Sequence, residues 1–156
     1  MTLIVSEAER LSRLVNQVLD MAKIEAGHAE WHNSPVDMPE LLAQAVQTMQ
    51  ETFRERGVQL RLDAQATPTV LADADRITQV VINLLSNAVK FAPRQTGVVD
   101  VRLRSVQGGV TVEVQDNGPG IAPDQQDMVF EKFRQVGDEA YRPGGTGLGL
   151  PISRQI

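Results

Sequence analysis

Seven of the twelve glycines in this chain fall between Gly118 and Gly149, and that crowding separates a part that can be regular from a part that cannot. Glycine loses more conformational freedom on ordering than any other residue, so such a stretch favours turns and close backbone approaches over long helices or strands. It leaves room for one short helix, around Asp127 to Phe133. The opposite extreme is the opening segment, Leu3 to Ala26, which contains no Gly or Pro. There Ile4, Ala8, Leu11, Val15, Val18 and Ala22 alternate steps of four and three, a heptad seam, and Leu14, Leu19 and Met21 broaden the apolar face. Two uses fit: a helical hairpin or four-helix dimer, and a helix packed on its own domain. Gly27 ends the helix.

Between these extremes the periodic signals alternate. Residues 28–36, with Trp31 and Pro35, read as a connector or a short edge strand. Asp37 and Glu40 form a capping-box pattern ahead of Leu41, Leu42, Ala45, Val46, Met49 and Phe53, the spacing of a second amphipathic helix that Gly57 closes. Val58, Leu60 and Leu62 alternate with polar residues as in a strand with one wet face, and a short run follows from Val70 to Ala72. Asp73 is placed to cap a third helix, which Pro93 stops near Ala92. Val99, Val101 and Leu103, then Val110, Val112 and Val114, alternate on either side of Gly108-Gly109 and predict an antiparallel hairpin.

Composition excludes several classes of function. The 156 residues, 42% hydrophobic and 22% charged, suit one soluble globular domain. Aromatics are 4%, too few for a base-stacking platform, and a net charge of -5 without any basic run gives no footprint for nucleic acid. With no Cys, disulfides, Cys-ligated zinc, iron–sulfur clusters and thiol catalysis are all excluded, and the reducing cytoplasm is the default compartment. The opening MTLIV is too short for a signal-peptide core, and no apolar run approaches the ~20 residues that span a bilayer.

Three constellations carry chemistry. In the third helix, at 100° per residue, Ile77, Val81, Leu84, Leu85 and Ala88 share one face, while Arg76, Gln79, Asn83, Asn87 and Lys90 fall in a narrow arc opposite. Carboxamide oxygens in line suit a hard cation such as Mg²⁺, and Lys90 suits anionic oxygens; a solvated polar stripe is the plainer reading. Asp116-Asn117-Gly118-Pro119-Gly120 follows a strand directly. It is either a tight turn capped by Asp116, or a place where two glycines let the backbone approach a flat ligand while Asp116 accepts a hydrogen bond from it. Gly144-Gly145-Thr146-Gly147-Leu148-Gly149-Leu150 runs into Pro151 and a helix start at Ile152-Ser153-Arg154. That arrangement aims backbone N–H groups at an anion and is better read as a phosphate loop than as a linker, although it is neither a Walker A loop nor a dinucleotide fingerprint.

Taken in order, Asn83-Leu84-Leu85-Ser86-Asn87-Ala88-Val89-Lys90-Phe91, Asp116-Asn117-Gly118-Pro119-Gly120-Ile121 and Gly145-Thr146-Gly147-Leu148-Gly149-Leu150 closely resemble the N, G1 and G2 boxes of the catalytic, ATP-binding region of bacterial sensor histidine kinases, members of the GHKL ATPase superfamily. Phe130-Glu131-Lys132-Phe133 resembles the F box between G1 and G2, and the helix ending Leu19-Asp20-Met21-Ala22-Lys23-Ile24-Glu25-Ala26-Gly27 looks like the second helix of the dimerisation and phosphotransfer hairpin. The resemblance covers essentially the whole chain. It implies an α+β fold, a two-layer α/β sandwich with a mixed, mostly antiparallel sheet, preceded by a long coiled-coil-like helix. The implied domains are residues 1–27, part of the hairpin; 28–36, a connector; and 37–156, an ATP-binding domain cut short at its C-terminus.

The resemblance also implies the site. Asn87 coordinates the Mg²⁺ of Mg-ATP, Asn83 supports it, and Lys90 contacts phosphate. Asp116 accepts from the adenine amino group, Gly118 and Gly120 let the chain approach the base, Phe91 contacts the purine, and Ile121 and Phe133 are further nucleotide-binding residues. Gly145, Thr146, Gly147, Leu148, Gly149 and Leu150 bring backbone to the phosphates, and residues 134–144 form a lid from which Arg134 and Arg142 are candidates for steadying the γ-phosphate. In hydrolytic relatives such as gyrase the position matching Asn83 resembles a water-activating Glu, and a carboxamide is no base, which favours kinase over hydrolase. Two departures stand out. His28 is followed by Ala29 and His32 by Asn33, so no His-Glu or His-Asp pair supplies a phospho-accepting histidine. The chain also starts on the hairpin's second helix and stops at Ile156, inside a helix that in the family leads to further strands. The expectations are therefore a protein that binds Mg-ATP without phosphorylating itself, a homodimer through the hairpin and a response regulator receiver domain as partners in the full-length protein, and membrane attachment only through segments beyond this chain. The alternatives are a GHKL anti-sigma serine kinase and a non-catalytic nucleotide-binding dimerisation module.

Overall fold

The computed structural model describes residues 2–132 and 149–156, in two compact units. One is drawn from the residues before His32 and after Ala122; the other is His32–Ala122. The elements in chain order are α1 (Thr2–Glu25), β1 (Ser34–Val36), α2 (Met38–Arg56), β2 (Gln59–Ala64), β3 (Val70–Ala72), α3 (Ala74–Phe91), β4 (Val98–Val106), β5 (Gly109–Asp116) and α4 (Gly149–Gln155).

Local signals set the helix ends in His32–Ala122. The Asp37 side chain accepts from the Glu40 N–H at 3.2 Å to start α2. At its far end Gly57 takes the left-handed conformation, φ 67°, and the Gly57 and Val58 N–H groups return to the Arg54 and Phe53 carbonyls, a Schellman closure. Asp73 caps α3 through the N–H groups of Asp75 and Arg76, and Ala92 follows the last helical residue, Phe91, just ahead of Pro93.

Among the described residues the strands form two sheets rather than one. β2, β4 and β5 form a three-stranded sheet in that order, β2 parallel to β4 and β4 antiparallel to β5; β1 and β3 form an antiparallel ribbon. Parallel pairing of β2 with β4 demands a crossover, and the chain makes it through β3 and α3. The mixed, mostly antiparallel α+β architecture expected from the sequence is present. The hairpin register pairs Val106 with Gly109, so the turn is Gln107-Gly108, with Gly108 at φ 83°, and Gly109 belongs to β5.

One core joins the helices to the inner sheet face. Val99, Val101 and Leu103 of β4 are fully buried with Leu42 and Leu85, and Phe53 is 1% exposed. Each such side chain contributes about 1.5–3 kcal/mol by leaving water, and Leu85→Ala would cost about 2–5 kcal/mol. The buried face of α3 is Val81, Leu85, Ala88 and Val89. Ile77 and Leu84, expected on it, are half-buried instead and line an open groove with Val80, Val110 and Val112. The outer sheet face is ionic. Arg61 makes a two-pronged pair with its register partner Asp100 at 2.6 and 2.8 Å, and Arg102 meets its partner Glu113 at 3.7 Å.

In the other unit α1 has two apolar stripes, so both uses of its face keep a basis. Met21 is buried with Ile152 of α4, and Leu14, Ile24 and Ile156 pack against that pair. The heptad seam lies about 120° round the helix from this stripe, and its Ile4, Leu11, Val15 and Val18 are 73%, 61%, 48% and 41% exposed. The helix ends as the sequence indicates, Gly27 at φ 71° with the Gly27 and His28 N–H groups on the Ile24 and Lys23 carbonyls. The short helix expected around Asp127 to Phe133 is replaced, among the described residues, by two single 3-10 turns, Pro123–Gln125 and Met128–Phe130. The Asp127 side chain makes no capping bond to the second of them. No described helix is long and apolar enough to cross a membrane.

Candidate functional site

The site begins on α3. Asn83, Asn87 and Lys90 are all half-buried and lie within about 60° of one another round the helix axis. Arg76 and Gln79 continue the same edge toward the N-terminus, where the Arg76 guanidinium donates to the Gln79 carboxamide at 3.2 Å. At the other end the Lys90 carbonyl accepts from the Arg56 guanidinium at 3.2 Å, which anchors the last turn of α3 to the end of α2.

Beside that last turn comes the loop that leaves β5. The Asp116 carboxylate accepts from the Gly118 N–H at 2.8 Å, so the capped turn considered from sequence is formed. A carboxylate carries lone pairs on both oxygens, and one turn bond leaves acceptor capacity for a ligand amine; the two readings of Asp116 are compatible. A β-carbon built on Gly118 would sit 2.5 Å from the Phe91 carbonyl oxygen. Only glycine lets the loop lie against the end of α3 so closely. Gly120 has φ 77° with open space around it, and Phe91 and Ile121 are 40% and 45% exposed.

Asn117, for which the sequence suggested no separate role, braces this loop. Its Oδ1 accepts from the Val98 N–H at 2.8 Å and its Nδ2 donates to the Thr96 carbonyl at 3.1 Å, tying the exit of β5 to the entry of β4. The signal was an Asn between a strand end and a Gly-Pro-Gly turn, but its partners lie 19 and 21 residues away. The structure thus brings the Gly118 turn that Asp116 caps against the backbone of Phe91. The apolar groove of about 820 Å³ on another flank of α3 is lined by none of these residues.

Gly149 and Leu150 fall in the first turn of α4, which starts before the expected Ile152. Pro151 is tolerated there because first-turn N–H groups lack intrahelical acceptors. Phe130 of the F-box segment has the Arg154 guanidinium 5.2 Å from its ring centre, and Lys132 pairs with Glu25. Phe133, Arg134, Arg142, Gly145, Thr146, Gly147 and Leu148 lie outside the described residues.

The donor set fits a magnesium-bound nucleotide. Two carboxamides and an ammonium on one edge match a hard cation that takes one or two protein oxygens and the rest from phosphate.

Residues 72–156 match the family described as histidine kinase-, DNA gyrase B-, and HSP90-like ATPase. The chain is 40% identical over 152 residues to the circadian input-output histidine kinase CikA of Synechococcus elongatus, spanning 95% of this chain and 20% of that protein. It is 35% identical over 158 residues to the aerobic respiration control sensor protein ArcB of Escherichia coli, spanning 96% and 20%. Full-length ShkA in complex with AMPPNP superposes with a TM-score of 0.86 at 35% identity, over 99% of this chain and 32% of that one. The chain spans about a fifth of the length of CikA and ArcB.

Proposed function

The chain belongs to the histidine kinase-, DNA gyrase B- and HSP90-like ATPase family, and from that premise we propose that it is the ATP-binding catalytic part of a two-component sensor histidine kinase, joined to the second helix of a dimerisation hairpin. The observation that supports this reading is the seating of Gly118 against the Phe91 carbonyl, which brings the loop that carries Asp116 to the end of the helix that carries Asn83, Asn87 and Lys90. The AMPPNP complex of ShkA supports a nucleotide as the ligand.

In this reading Asp116 accepts the adenine amine through lone pairs left over from its turn bond, and Phe91 and Ile121 offer apolar surface to the ring. The Asn87 carboxamide oxygen would hold Mg²⁺, with Asn83 in support. The ion supplies positive charge to the phosphate oxygens when bound. Lys90 adds an ammonium on the same edge, and Gly149 and Leu150 belong to the phosphate loop in this reading. Phosphoryl transfer depends mainly on positioning and charge neutralisation. Asn83 cannot take a proton from water, so the γ-phosphate is kept for an imidazole nucleophile supplied by the hairpin's other helix. The exposed seam Ile4, Leu11, Val15 and Val18 is the surface for that homodimer, and the phosphohistidine serves the receiver domain of a response regulator.

Titrating the chain with Mg-ATP by calorimetry, then supplying a separate hairpin that carries a His-Glu or His-Asp pair, tests the proposal. Saturable binding followed by an acid-labile, base-stable phosphoryl group on the supplied hairpin is expected. Binding without transfer would favour the non-catalytic module.

A further inference from the structure

Asp73 is the one buried charged side chain among the described residues, 9% exposed, and no role proposed above uses it. Its two oxygens are divided. Oδ1 accepts from the Asp75 and Arg76 N–H groups at 3.1 and 3.2 Å and starts α3. Oδ2 accepts from the His32 N–H at 2.9 Å, 41 residues away, where the connector following α1 enters the unit that contains α3. An N-cap needs one oxygen, which Ser or Thr would supply. A carboxylate adds a second acceptor held in fixed geometry, and charge-assisted bonds of this kind are about twice as strong as neutral ones. The backbone donors, His32 foremost and then Arg76, hold the Asp73 carboxyl below the usual carboxylate range against the opposing effect of burial. Asn83 and Asn87 lie about three and four turns along the same helix, so the seating of its first turn sets where both amides stand.

We infer that Asp73 is a positioning residue for nucleotide binding, tying the connector at His32 to the helix that carries Asn83, Asn87 and Lys90. The inference rests on the nucleotide reading above. Coupling is reciprocal: if the tie favours the binding geometry, bound nucleotide strengthens the tie.

The test combines calorimetry with amide hydrogen exchange on the chain and two variants, with and without Mg-AMPPNP. Asp73→Asn keeps one oxygen for the two helix donors and sets an NH₂ group against the His32 N–H. Asp73→Ser keeps the cap and has no second oxygen. Both are expected to melt cooperatively, to lose protection at the His32 amide, and to bind Mg-ATP roughly fivefold or more weakly. In the unsubstituted chain Mg-AMPPNP slows exchange at His32, and in the variants it does not, a response that a purely structural cap would not give. Unchanged affinity in both variants, or His32 exchange indifferent to nucleotide, overturns the inference and leaves the nucleotide site standing. Failure of the unsubstituted chain to bind overturns both. Should the Asn variant not fold, the Ser variant carries the comparison.

Discussion

Gly118 lies against Phe91 so closely that a β-carbon on the glycine would fall 2.5 Å from the phenylalanine's carbonyl oxygen. Neither residue is near the other in sequence, and the contact holds two of the three sequence motifs together. Gly118→Ala must push the loop away from α3, and displacements near an ångström cost up to about 100-fold where positioning matters. Mg-ATP affinity is expected to fall at least about tenfold in calorimetry while far-UV circular dichroism stays native. Unchanged affinity would mean that the approach serves folding alone.

Asp116→Asn separates the turn bond of that carboxylate from the adenine contact proposed for it. The amide oxygen can keep the bond from the Gly118 N–H, but its NH₂ presents a donor where the adenine amine also donates, a mismatch that leaves polar groups unpaired. Adenine nucleotide affinity is expected to drop about tenfold or more, with protection of the Gly118 amide retained. Equal affinity for ATP in both proteins would remove Asp116 from base recognition.

Two carboxylates link stability to acid. The side-chain hydrogen bond from Arg61 holds Asp100 below its ordinary pKa, and backbone donors do so for Asp73. Each folded-state value lies below the unfolded one, about 3.9, so the stabilisation is present above that value and is lost as pH falls through the folded value. The melting temperature is expected to hold from pH 7 to about 5 and to decline below. Asp100→Asn should flatten only part of that decline, because the Arg61 pair is solvent-exposed and such pairs contribute little. An acid limb identical in the variant would show that the pair carries no pH dependence.

The two stripes of α1 should respond differently to substitution. Leu11→Lys with Val18→Lys places charge on the exposed seam; under the homodimer reading proposed above, self-association of the full-length protein in sedimentation is expected to weaken while stability shifts by less than about 0.5 kcal/mol. Met21→Ala opens a cavity against Ile152 and should cost about 2 kcal/mol or more without changing association. The reverse pattern would exchange the roles of the two faces.

Much of this molecule was legible in its residues. Asp37 and Asp73 mark helix starts, Gly27 and Gly57 mark helix ends, and Pro93 marks a stop, because each acts on backbone groups within a few residues of itself. Alternating valines announced β4 and β5, and the carboxamide edge of α3 followed from helical geometry alone. Apart from the short helix expected around Asp127 to Phe133, where 3-10 turns stand among the described residues, the sequence by itself determined the main helices and strands and which chemical groups each would carry. Only the tertiary structure decided what those groups meet: β2 beside β4 in parallel, Asn117 on Thr96 and Val98, the second oxygen of Asp73 on His32, Gly118 on Phe91, and Met21 rather than the heptad seam on α4. Caps and periods are local and recur whatever lies across the core, whereas these contacts join residues about 19 or more positions apart and exist only once close packing has placed their backbones within reach.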